Sequence, residues 1–204
     1  MSNSIIIIGA GGHGKVVADI ARLNGYSYIA FLDDKPGLSE CGGYSVLGGI
    51  AKSSEYPDFD FVVAIGSSAA REKIQNELLG RGHKIVSLIH PRAVVAQSAQ
   101  IGEGSVVMAG AVINPDAVIG KGCIVNTCAS VDHDCRIGDF SHISVGAHIA
   151  GTVNIGRGVL IGAGAAVINN LVITDGCTVG AGAAVVCDLL DKGTYVGVPA
   201  KRIK

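Results

Sequence analysis

From Val95 to Val185 every sixth residue is valine or isoleucine, sixteen times in succession, beginning Val95, Ile101, Val107, Ile113 and ending Ile173, Val179, Val185. In a chain that is 49% hydrophobic, chance does not sustain such a run. A helix repeats at 3.6 residues and a strand at 2, so neither alone produces a period of six. A unit this short cannot bury its own apolar side and must stack on copies of itself as a solenoid. Six-residue periods specify a parallel β-helix, with three hexads to a triangular coil of eighteen residues. Residues i and i+18 then stack about 4.8 Å apart. The repeat region makes about five such coils, and the period leaves the hand of the winding open.

Two positions before each apolar residue the side chain is small, as at Ala99, Ser105, Ala111, Cys123, Ala129 and Cys135, which suits a tight corner. Glycine often follows the apolar residue (Gly102, Gly120, Gly138, Gly156, Gly162, Gly180), where it is expected to relieve backbone strain at bends. Three of the six cysteines, Cys123, Cys135 and Cys177, fall at the small corner position and no CxxC pair exists. They read as buried structural thiols. Cys41, Cys128 and Cys187 lie off that register.

The formal net charge is −1 and only 16% of residues are charged. A sparse charge count fits a large buried fraction and a buried subunit interface. No basic block points to nucleic acid, and no apolar run has the length of a membrane span. Without a basic leader before Ile5–Ile8, the expected location is the cytoplasm.

Before Pro91 the six-residue period is absent, which places a domain boundary between residues 90 and 91. Ile5–Ile8 reads as a buried strand, followed by Gly9-Ala-Gly-Gly-His-Gly14 and a helix from Lys15 to Leu23. Strands at Tyr28–Leu32, Phe61–Ile65 and Lys84–Ile89, with a helix from Ala69 to Leu79, complete a small parallel sheet of Rossmann-like order. Gly9, Gly11 and Gly14 satisfy GxGxxG between strand and helix, where backbone N–H groups can meet a phosphate. Fewer than ninety residues make only half a dinucleotide fold, so a mononucleotide or nucleotide-sugar is the better fit; a tight turn without ligand is the plain alternative. Asp33 and Asp34, after the second strand, are candidates to accept hydrogen bonds from a ribose or base, or simply form a charged turn.

An apolar solenoid has little use for histidine, yet His133, His142 and His148 fall within sixteen residues. None is eighteen residues from another, so they do not stack within one chain. Imidazole near neutrality is suited to general base catalysis. Asp132 and Asp134 flank His133, and spacing does not decide which one orients its ring. A zinc site shared across a subunit boundary, as in γ-class carbonic anhydrases, is a second possibility, and a plain surface role a third.

The hexapeptide period, Asn126-Thr-Cys-Ala-Ser-Val-Asp-His-Asp-Cys135, Phe140-Ser-His-Ile-Ser-Val-Gly146 and Gly197-Val-Pro-Ala-Lys201 resemble the hexapeptide acyltransferases. The segments Gly9–Gly14, Phe31-Leu-Asp-Asp34 and Ala64-Ile-Gly66 narrow the resemblance to one branch. It holds the PglD-type nucleotide-sugar N-acetyltransferases and the NeuD-type sialic acid O-acetyltransferases. The resemblance implies a left-handed β-helix that forms a homotrimer with active sites between protomers, acetyl-CoA as co-substrate and no metal. It implies His133 as catalytic base and Asp134 as its acidic partner. His142, Gly146, Ala147, Gly164 and Lys201 would contact acetyl-CoA. Gly9, Gly11, His13, Gly14, Asp33, Asp34, Gly66, Arg71 and Asn126 would hold the acceptor. Two departures stand out: Ser67-Ser68 replaces an asparagine pair usual in the PglD type, and aspartate replaces glutamate after the histidine.

The expected chemistry is direct acetyl transfer to the amino group of a UDP-linked 4-amino sugar. His133 takes the proton, and a backbone N–H near Gly146–Ala147 stabilises the oxyanion. Lys201 and Arg202 are candidates for CoA phosphates, or a frayed basic tail. The alternatives are transfer to a sialic acid or other sugar hydroxyl, a zinc hydratase, and a non-catalytic nucleotide-binding module.

Overall fold

The computed structural model describes residues 3–204. The chain divides into two compact units, Met1–Pro91 and Arg92–Lys204.

The first unit contains β1 (Ser4–Ile8), α1 (Gly12–Leu23), β2 (Tyr28–Leu32), a short hairpin of β3 (Glu40–Cys41) and β4 (Tyr44–Ser45), β5 (Asp60–Val63), α2 (Ser68–Gly80), β6 (Lys84–Ile85) and β7 (Leu88–Ile89). Strands β2-β1-β5-β6 form a parallel sheet in that order. Ile5, Ile6, Ile7 and Ile8 of β1 are fully buried, because a central parallel strand is covered on both faces and reads as a continuous apolar run. Consecutive crossovers leave β1 toward β2 on one side, while β5 joins it on the other. The carboxyl ends of β1 and β5 therefore flank the switch point where ligands bind in such sheets. Helix α1 starts at Gly12, three residues earlier than Lys15, since Gly12-His13-Gly14 form its first turn. The expected strand Lys84–Ile89 is interrupted, leaving β6 and β7 as two-residue strands.

The second unit is a parallel β-solenoid. One face stacks Val94–Val95, Val112–Ile113, Ser130–Val131, His148–Ile149, Ala166–Val167 and Ala184–Val185, each eighteen residues from the next. A second runs from Val106–Val107 through Ile124–Val125 and His142–Ile143 to Thr194–Val196. The third runs from Gln100–Ile101 to Val172–Ile173. The first of these faces is six strands deep, one more than the expected five coils, because sixteen hexads over three faces leave one face with a sixth strand. Of the sixteen period-setting residues all but Val95 and Ile101 are buried to within 4% exposure, and those two still pack on the same core. The small positions are buried as well, and Ser105 and Ser141 earn their place by hydrogen bonding. Ser105 Oγ donates to Gly120 O (2.8 Å) and accepts from Cys123 N (2.9 Å); Ser141 Oγ does the same with Gly156 O and Val159 N. Cys123, Cys135 and Cys177 are buried, with their thiols directed at backbone carbonyls.

The glycines that follow the apolar residues have a different cause from the one expected. Gly102, Gly120, Gly138 and Gly156 do not adopt positive φ. A Cβ on Gly102 or Gly138 would lie 2.5 Å from the backbone carbonyl carbon of the glycine one coil on. Glycine is needed there for the close approach of stacked coils. The left-handed residues sit two positions further along, in the turns. The C-terminus is not frayed: Lys201–Arg202 pairs antiparallel with Thr194–Val196, and Arg202 donates to the carbonyls of Lys192 and Lys204.

Candidate active site

Val131 points into the solenoid, so the chain turns the corner over the next three residues. Asp134 adopts a left-handed φ of 59°, as do Asp116 (61°), Thr152 (62°) and Asn170 (61°) in the same column. Short polar side chains tolerate this region better than most. The turn is pinned from both sides, Asp134 N–H donating to Pro115 O (3.1 Å) and Thr152 N–H to His133 O (2.9 Å).

That folded turn settles which carboxylate meets the ring. Neighbours on an extended strand point apart, but here Asp134 Oδ2 lies 2.8 Å from His133 Nδ1. Asp132 serves the backbone instead: its Oδ1 accepts from His133 N (2.8 Å) and from Asn114 Nδ2 (2.7 Å), one coil below. The hydrogen bond to Asp134, aided by the charges of Asp132 and Asp134, raises the His133 pKa above its ordinary value. The two hydrogen bonds to Asp132 hold that carboxyl below the usual range. With Nδ1–H donating to Asp134, the lone pair of His133 is on Nε2. Nε2 faces Gly151, where an added Cβ would lie 2.5 Å from it.

His142 lies on a different face, its Nε2 3.1 Å from Asn126 Nδ2. Asn126 Oδ1 already accepts from Thr127 N (2.8 Å). The amide therefore turns its NH2 group toward Nε2 of His142. His148 belongs to the face that precedes His133, with Nδ1 2.9 Å from Ser130 Oγ. A pocket of about 460 Å³ beside this pair is lined by Ser130, Asp132, His148, Ala150, Ile168 and Asn169, among others. Among the described residues no three His, Cys, Asp or Glu side chains converge as a metal-binding group.

The expected oxyanion donors are already engaged. Gly146 N donates to Thr127 O (3.0 Å) and Ala147 N to Ser144 O (3.0 Å), both within the coil. Gly164 N likewise donates to Val145 O (2.9 Å). Lys201 is exposed on the terminal strand. The N–H of Gly151 has no partner among the described residues.

In the first unit, the three motif glycines divide by function. Gly9 (φ 104°) approaches Ala64 O, and a Cβ on Gly14 would collide with Gly9 O, so packing requires both. Gly11 and Gly12 face open space. Helix α1 has no side-chain cap, so the first-turn N–H groups are left to carry the positive end of its dipole. Asp33 supports this loop, its Oδ2 accepting from Ala10 N (2.7 Å) and its Oδ1 from Lys35 N (2.8 Å). Asp34 Oδ1 accepts from Ile50 N (2.8 Å). Arg71 is fully buried and donates to the carbonyls of Ile65 (2.7 Å) and Gly66 (3.0 Å) at the end of β5. His13 Nε2 is buried and unpartnered among the described residues. Burial, with the charge of Arg71 second, lowers the His13 pKa to about 4, so the ring is neutral at pH 7. The Asp33 hydrogen bond to Ala10 and the buried Arg71 clamp were not legible in the sequence, because both depend on contacts between distant loops.

Residues 4–78 match the family described as PglD N-terminal domain, and residues 98–133 match bacterial transferase hexapeptide repeats. A UDP-N-acetylbacillosamine N-acetyltransferase from Bacillus subtilis is 40% identical over 112 residues, which cover 52% of this chain and 51% of that one. The chain thus spans about half the length of this curated relative. The acetyltransferase domain of PglB from Neisseria gonorrhoeae, solved with acetyl coenzyme A, is 44% identical with a TM-score of 0.96 and full coverage of both chains. A histidine-substituted perosamine N-acetyltransferase from Caulobacter crescentus, solved with CoA and GDP-perosamine, is 38% identical with a TM-score of 0.93, covering 98% of this chain and 97% of that one.

Proposed function

Because the chain belongs to the hexapeptide-repeat sugar acetyltransferases of the PglD type, we propose that it transfers an acetyl group from acetyl-CoA to the amino group of a nucleotide-linked amino sugar. The observation that carries this reading is the His133–Asp134 pair, with an unprotonated Nε2 turned away from the carboxylate and onto Gly151.

In this mechanism His133 Nε2 takes a proton as the amine attacks the thioester carbonyl. Asp134 fixes the tautomer and stabilises the imidazolium that forms. The spare N–H of Gly151, beside Nε2, is the better oxyanion donor than Gly146 or Ala147, whose N–H groups are engaged. Thiolate leaves as CoA, and no acyl-enzyme is required when both substrates are held together. His142 would contact the thioester region. Gly164 and Lys201 remain candidate contacts for CoA.

The nucleotide is assigned to the first unit, its phosphates over Gly11 and the uncapped turn of α1. In this assignment Gly9, Gly14, Asp33, Gly66 and Arg71 shape the cradle from behind, with His13 and Asp34 toward its ligand; Asn126, on the solenoid, is a candidate acceptor contact. A homotrimer with shared sites accounts for histidines on separate faces and for exposed Val94, Val145, Ile168 and Val186 on the solenoid. No helix among the described residues is long and apolar enough to cross a membrane, and the proposed location is the cytoplasm. A UDP-linked 4-amino sugar is the proposed acceptor.

The test is CoA release, followed by free thiol, with UDP- and GDP-linked amino sugars and sialic acids as acceptors. Acetylation of a nucleotide-linked amine is expected. Turnover with sialic acid alone would replace N- by O-transfer.

A further inference from the structure

We propose that Asn114 and Asp132 are positioning residues for His133, forming with it a ladder across two coils that fixes the peptide from which the imidazole projects. The inference rests on the assignment of His133 as base. The left-handed φ recurs on the other coils of this column; what is particular to this turn is a projecting imidazole with Asp134 folded back onto its ring. Asp134 does not hold the His133 peptide, because its carboxylate is occupied at the ring. The peptide N–H of His133 is held instead by Asp132 Oδ1 at 2.8 Å, and the same oxygen is held by Asn114 Nδ2 at 2.7 Å.

Asn114 lies eighteen residues before Asp132, so the period that stacks the apolar residues also places this amide under this carboxylate. The other coils of this column are built differently. Ala96 lies below Asn114, and Ala150 and Ile168 lie above Asp132, so the amide–carboxylate pair occurs once in its column, at the level of His133. Its two hydrogen bonds keep Asp132 ionised, which puts a second fixed negative charge beside the imidazole. The charges that act on His133 are Asp132 and Asp134 on its own turn; Asp116 stacks one coil below Asp134, His148 lines a pocket with Asp132, and Gly151 and Thr152 on the coil above carry no charge.

Steady-state kinetics of Asn114→Ala, Asp132→Ala, the double variant and Asp132→Asn test the ladder. Asn114→Ala is expected to lower kcat about tenfold, since small displacements of a catalytic group are costly, with KM for acetyl-CoA unchanged. In the Asp132→Ala background the Asn114 substitution should add no further loss, as coupled residues are non-additive. Asp132→Asn keeps the Oδ1 acceptor and removes only charge, so the acid limb of the kcat/KM profile should move to lower pH. Unchanged kcat in Asn114→Ala, or losses that multiply in the double variant, would overturn the ladder. His133→Ala measured alongside separates the outcomes: if it stays active, the assignment of the base has failed rather than its support.

Discussion

His133 Nε2 and Gly151 are packed so closely, one coil apart, that a methyl group on Gly151 would lie 2.5 Å from the nitrogen. The glycine leaves the space in which the ring presents its lone pair. Gly151→Ala is therefore expected to displace the imidazole and to lower turnover about 100-fold, the scale of a misplacement near 1 Å. Turnover should be compared with the urea midpoint, because Gly151 has no positive φ to lose and stability should change far less than activity. Equal activity would remove Gly151 from the site.

Asp134 raises the His133 pKa, so the free base forms only as pH rises past a value above about 6.5. The acid limb of kcat/KM should consequently lie above that value in the parent enzyme. Asp134→Asn removes the charge, and the limb should shift toward lower pH while kcat falls. A limb that stays in place would detach Asp134 from the ring's titration.

His13 concerns the first unit alone. Its pKa is lowered to about 4 by burial and then by Arg71. A depressed histidine takes up its proton on unfolding below about 6.5, so the stability it contributes is present above that pH and is lost as pH falls toward 4. The slope from this one group is up to about 1.4 kcal/mol per pH unit. Four of the five tyrosines lie before residue 91, so urea unfolding followed by tyrosine fluorescence reports on this unit. His13→Gln should flatten the dependence between pH 7 and 5; an unaltered slope would mean that His13 is not the buried neutral group.

On the solenoid, Ile161 is fully buried while its neighbour Leu160 is 37% exposed on the opposite face of the same strand. Ile161→Ala should cost about 2–5 kcal/mol, and Leu160→Ala less than about 1 kcal/mol, measured by denaturant unfolding. A large loss at Leu160 would mean that the outer face is covered in the assembly.

The solenoid was legible because its signal is additive: each hexad repeats the same inward residue, and sixteen repeats leave one solution. The hairpin Glu40–Ser45 was not legible, since two-residue strands carry no period. The glycines after the apolar residues were visible but misread, because close approach between coils and backbone strain favour the same residue. His133 stood out by being foreign to an apolar scaffold. The resemblance named Asp134 as its partner, but spacing alone did not, because choosing Asp134 over Asp132 depends on a left-handed φ that spacing cannot express. The Asn114–Asp132 bond was within reach, as eighteen residues separate them.

The most direct test of the account is turnover of His133→Ala, followed as CoA release from acetyl-CoA with the nucleotide-linked amino sugar that the parent enzyme acetylates. His133 is exposed at a turn, so the fold and acetyl-CoA affinity should persist. Loss of a single general base predicts a fall in kcat of about 10²–10⁴-fold. Turnover close to that of the parent, with acetyl-CoA still bound, would contradict the assignment of His133 as the base.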